Sequence, residues 1–190
     1  MKKKILVGIA ILVIVVGGVM FLGYFPVARV NGQTIWYYTY KENADALQRY
    51  NEKNRQSQGS NALTPEQITQ GREQVLQNLI GNIVIHNYIK AHYSLDDLNK
   101  EAVDLTDTAL KSKDVDPAVL SKATVELYGW SVEDFKKNVL LPQALQEVLQ
   151  QHIEKDNQNY AEIILAEPKN AHVQTFLVPW KWQDGKLVNK

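Results

Sequence analysis

From Thr34 the apolar positions recur at steps of three and four: Trp36, Tyr40, Ala44, Leu47 and Tyr50. That spacing places them on one face of a helix. The pattern fades over residues 51–61, a polar run of Asn, Glu, Lys, Gln, Ser and Gly with nothing to bury, which reads as the helix end and a loop. A second helix opens cleanly. Thr64 is an N-cap residue, Pro65 takes the first helical position, and Gln67 completes a capping box. Ile68, Val75, Leu76, Leu79, Ile80, Ile83, Val84 and Ile89 follow, making this the most apolar helix after the N-terminal run. Gly71 and Gly81 each weaken it by about 1 kcal/mol relative to Ala, and read as points where another helix approaches closely.

Ser94 with Asp97 forms the next capping box, ahead of Leu95, Leu98, Ala102, Leu105 and Ala109. Asp116-Pro117 starts a short helix through Leu120, Ala123 and Leu127, and Gly129 ends it. Ser131 with Asp134 caps a last long helix through Phe135, Val139, Leu145, Val148, Leu149 and Ile153. Pro142 lies inside it and predicts a kink or a break, because proline removes a helical donor and clashes with the preceding turn.

Two dipeptides carry β-hairpin chemistry. Asn31-Gly32 lies between β-formers in residues 26–35, and Asp184-Gly185 lies between Trp180-Lys181-Trp182 and Leu187-Val188. A type I′ turn needs positive φ at both central residues, which these pairs supply. Residues 160–165 are short and apolar, and 173–178 are rich in β-formers. Helix-free ends around a helical middle predict that the C-terminal strands pair with the N-terminal hairpin.

Residues 5–25 form an uninterrupted apolar run, with Lys2, Lys3 and Lys4 directly before it. About 20 residues at about 1.5 Å each cross a bilayer core of about 30 Å. The run reads as a transmembrane signal anchor, represented by Ile5, Leu12, Val16, Phe21 and Phe25. The lysines hold its N-terminus in the cytoplasm and leave the rest extracytoplasmic, at the cytoplasmic membrane. A cleaved signal peptide is the competing reading. Its apolar region is shorter, about 7–15 residues, and ends at a small-x-small site that the junction at residues 24–28 lacks. Gly8, Gly17, Gly18 and Gly23 make no GxxxG spacing, so the run reads as a plain tether.

The formal net charge is zero, with 21 basic and 21 acidic residues, but three of the basic ones precede the apolar run. The remainder carries a net −3, which gives no footprint for nucleic acid. The chain has no cysteine, hence no disulfide framework, thiolate chemistry or lipid-acceptor site. His86 and His92 are six apart, not the i, i+4 pair of a helical zinc site, so no metal is expected. Asp96-Asp97 and Glu133-Asp134 fall in first helical turns, where negative charge complements the helix dipole. No phosphate loop or nucleophile motif appears, and no cofactor is expected.

The aromatic residues invite two readings. Trp36, Tyr37, Tyr38 and Tyr40 cluster just after the apolar run, and Trp180 and Trp182 lie near the end. Such rings pack cores and sit at membrane boundaries. They also give large contact area with little sequence demand, which suits a promiscuous binder.

Three segments carry a resemblance. They are Val27 to Ile35 (Val-Ala-Arg-Val-Asn-Gly-Gln-Thr-Ile), Val75 to Leu98, and Leu127 to Leu149, which opens Leu-Tyr-Gly-Trp-Ser-Val-Glu-Asp-Phe-Lys. Their order behind an apolar N-terminal run resembles the N-terminal chaperone region of the SurA, PrsA and PpiD group of extracytoplasmic folding factors, over about residues 26–155. The resemblance implies a helical module that holds unfolded or nascent exported polypeptides. A parvulin prolyl isomerase domain commonly follows in that group. Here the 34 residues after Asp156 hold no matching His-Ile-Leu-like motif and are too few for that domain.

The expected fold is therefore mainly α. It comprises a transmembrane anchor over residues 1–25, a helical SurA-N-like chaperone domain over 26–156, and a tail over 157–190 whose strands pair with residues 27–35. The expected function is a membrane-anchored, ATP-independent, non-catalytic holdase, with client contacts around Trp36, Tyr40, Ile80, Ile83, Leu127 and Phe135. The rivals are an assembly subunit with one dedicated partner, and an isomerase relative without its catalytic domain.

Overall fold

The computed structural model describes residues 23–112 and 116–190. Strands β1 (Pro26–Val30) and β2 (Gln33–Trp36) form an antiparallel hairpin in which Val30 pairs with Gln33 across the two-residue turn. Asn31 and Gly32 take φ of 46° and 88°, the type I′ signature. The ladder continues to the Pro26–Trp36 pair, so the chain is still extended where the apolar spacing predicted helix. Trp36 is the extended cap, and α1 begins one residue later (Tyr37–Ser57). Strand pairing overrides the local period here. The helix also outlasts the predicted fade after Tyr50. Its polar last turns are laced by short-range bonds, among them Gln48 Nε2 to Glu52 Oε1 at 2.9 Å and Gln58 Nε2 to Asn54 Oδ1 at 3.1 Å.

Helix α2 (Pro65–His92) starts at the capping box: Gln67 N–H donates to Thr64 Oγ1, and Thr64 N–H donates to Gln67 Oε1 at 3.0 Å. Helices α3 (Leu95–Ser112) and α4 (Pro117–Tyr128) follow, and α4 stops where Gly129 turns left-handed at φ 74°. Ser131 and Asp134 cap α5 (Val132–Phe135), which runs through a π-turn at Lys136–Leu140 into α6 (Leu141–Lys155). The predicted break at Pro142 takes this form. Proline has no N–H to donate, and Leu141 donates five residues back, to the Lys136 carbonyl.

The tail is not helix-free. Asn159 Oδ1 accepts from the N–H groups of Ala161 and Glu162 and starts α7 (Tyr160–Asn170). That cap gives the short apolar run at 160–165 a helical frame, and its Tyr160 and Ile163 pack against α2, α3 and α6 residues. Strand β3 (Val173–Thr175) then lies antiparallel beside β1, giving the order β2-β1-β3. Strands β4 (Trp180–Gln183) and β5 (Lys186–Asn189) form a second hairpin around Asp184 and Gly185, at φ 51° and 82°.

Two apolar cores share α2. The first joins Val27, Val30 and Ile35 of the hairpin, Tyr40 and Ala44 of α1, Leu76, Ile80 and Val84 of α2, and Trp180 and Leu187 of the tail. The second joins Tyr88 and Ile89 of α2, Leu98 and Ala102 of α3, and Val148, Leu149 and Ile153 of α6. At its rim the Tyr93 hydroxyl donates to Asp156 at 3.1 Å. Desolvation, then that bond to the carboxylate, push the phenol up to about 12.

No helix among the described residues is long and apolar enough to cross a membrane. The run expected to do so lies, up to residue 22, outside them, with Ile5, Leu12, Val16 and Phe21. Phe25 is a correction. It sits in a bend after the Gly23 turn and stacks on Tyr37, ring centres 4.5 Å apart, because the globular fold has already begun.

Candidate functional site

The sequence pattern puts two polar stripes opposite each other. On α2, Gln74, Asn78 and Asn82 are four apart, with Gln77, Gly81 and Ile85 beside them on the same face. On the π-turn and α6, Asn138, Pro142 and Gln146 are likewise four apart, with Val139 and Gln143 beside them. These stripes line the two sides of a cleft of about 790 Å³, and Leu47 and Tyr50 of α1 with Tyr128 and Trp130 complete its wall. The Gln146 amide reaches Asn82 Oδ1 at 3.5 Å and draws the sides together. Beyond lies an apolar annexe of about 290 Å³ lined by Ile85, Ala102, Leu141, Pro142 and Leu145. His86 borders that annexe, and burial, with Lys90 nearby, lowers its pKa below the ordinary imidazole value.

Gly81 is open floor. An added Cβ would meet nothing within 4 Å, which corrects the expectation of a close helix approach there. At Gly71 a Cβ would make ordinary contact with Leu47 at 3.8 Å.

The aromatic wall is a column. Tyr50 stacks on Tyr128 with ring centres 5.1 Å apart and planes 6° apart, and Tyr128 stacks on Trp130 at 5.8 Å and 12°. Phe135 tilts against Tyr128 at 5.0 Å. Desolvation raises the Tyr128 phenol above its ordinary value, with Tyr50 adding to the shift. Among the described lining residues Lys137 alone is charged, while eight are Asn or Gln. Neutral amides and flat rings offer hydrogen bonds and contact area without electrostatic selection. Among the described residues no group of His, Cys, Asp and Glu could hold a metal ion.

The six residues singled out from sequence scatter over this frame. Tyr40 and Ile80 are buried in the first core, 6% and 0% exposed, and neither lines the cleft; Tyr40 lines a separate pocket with Tyr37, Lys41 and Trp180. Ile83 is half-buried against that core. Leu127 is half-buried on α4, and Phe135 reaches the cleft only through Tyr128. Trp36 is exposed on the hairpin, as are Tyr24 and Tyr38, whose rings lie 5.4 Å apart. The residues missed are Tyr50, Tyr128, Trp130 and the amides. Their signal was present: a polar stripe on the most apolar core helix that contains no charge.

The hairpin, α1 and α2 lie within residues 1–93, which match the family model described as SurA-like N-terminal domain. The similarity to a SurA-like N-terminal domain covers these 93 of the 190 residues. That domain is non-catalytic, and no parvulin domain is detected along the chain. No curated protein and no solved structure matches. The matched SurA-like stretch ends with α2, so it supplies one side of the cleft, and the residues at 128–146 supply the other.

Proposed function

We propose that this protein is an ATP-independent, non-catalytic holdase that keeps unfolded or nascent exported polypeptides from aggregating. The observation that carries this reading is the cleft, walled by stacked rings and neutral amides, open enough for a segment of chain, and built half from a SurA-like domain. The apolar run up to residue 22 fits a tether that holds the domain on the outer side of the cytoplasmic membrane, the lysines at 2–4 remaining inside. The exposed rings of Tyr24, Trp36 and Tyr38 follow that run and suit the lipid boundary.

The test is light scattering from several unrelated refolding proteins, with and without stoichiometric full-length protein held in mild detergent. Suppression of aggregation for most of them is the expected result. Suppression of none, together with recovery of one stoichiometric protein after crosslinking in the membrane, would replace the holdase with a dedicated-partner subunit.

A further inference from the structure

The chain already holds the start of its own strand β5, from the turn residue Gly185 to Leu187, on the face of α2 that borders the cleft. Gln77 Nε2 donates to the Gly185 carbonyl at 3.2 Å, and Gln77 Oε1 accepts from the Leu187 N–H at 2.8 Å. Leu187 pairs with Trp182 on the inner side of its hairpin, and the side-chain amide takes the place of a neighbouring strand on the outer side. A carboxamide carries a donor and an acceptor, as a peptide group does, so one Gln satisfies both backbone groups whatever the side chains are.

The same chemistry continues into the cleft without a partner. The side-chain amides of Gln74, Asn78, Asn138 and Gln143 make no hydrogen bond among the described residues. We propose that the cleft takes its client as an extended segment held by its peptide groups, with these four amides as the matching donors and acceptors and the Tyr128–Trp130 stack under one side chain. The lining on α2 runs from Gln74 to Ile85, about 16 Å at about 1.5 Å per residue. At about 3.3 Å per extended residue, about five client residues fit. Main-chain bonding supplies affinity, and the rings and apolar annexe add only a loose preference, since no charge but Lys137 selects among sequences.

This deepens the holdase reading and rests on it. The test uses the full-length protein in mild detergent and two fluorescent decapeptides of alternating Leu and Ser. They are identical except that one has alternate backbone nitrogens methylated, which removes N–H donors and keeps every side chain. The expected result is that the methylated peptide binds about tenfold more weakly. In the variant Asn78→Leu/Asn138→Leu/Gln143→Leu that gap closes, while the circular dichroism spectrum is unchanged. Equal binding of both peptides to the wild type overturns backbone recognition and leaves the holdase intact. So does aggregation suppression by a protein that binds neither peptide. A variant that keeps the tenfold gap would assign the discrimination to residues outside these amides and overturn the proposal.

Discussion

The two cores are built in opposite ways. The second closes within residues 85–163, helix against helix, with partners such as Tyr93 and Asp156 63 residues apart. The first closes only when the end of the chain returns. His172 N–H donates to Asn31 Oδ1 across 141 residues, Gln77 reaches Leu187 across 110, and Trp180 and Leu187 fill the space behind the hairpin. The SurA-like match covers the hairpin, α1 and α2, yet the core of that stretch is completed by residues far outside it. The stretch matched in sequence is thus not the unit that buries the surface, and the cleft borders both cores.

The returning tail is where the first core is most vulnerable. Trp180 is 3% exposed in the first core. Trp180→Ala should cost about 3–5 kcal/mol in urea unfolding, and hydrogen exchange should speed first at β1, β3 and the start of α2. Leu149, fully buried in the second core, gives the matched control. Leu149→Ala should cost about 2–5 kcal/mol and loosen α3 and α6 first. If both variants accelerate exchange uniformly along the chain, the cores are one cooperative unit and the distinction fails.

Legibility followed the range of the interactions. The Thr64–Gln67 and Ser131–Asp134 boxes, the Gly129 stop and both I′ turns depend on residues within a few positions, and the sequence held them. The start of α1 did not, because strand pairing up to the Pro26–Trp36 pair keeps Thr34, Ile35 and Trp36 extended against their helical period. Helix α7 was hidden because its evidence is a single Asn159 cap on a run with little periodicity. At the site, hydrophobicity pointed to Tyr40 and Ile80, which the core consumes. A buried face and a binding face are both apolar in one sequence. What sets the proposed cleft apart is the uncharged amides at 74, 78 and 82, which a buried apolar face has no use for.

If the cleft bordering the two cores holds clients, filling its floor at Gly81 must exclude them. Gly81→Leu places a side chain on open floor and replaces a poor helix former with a good one. It should stabilise the fold by about 1 kcal/mol in urea unfolding while abolishing most of the aggregation suppression. A more stable protein that suppresses aggregation as well as the wild type would contradict the account, because a filled cleft would then be irrelevant to holding.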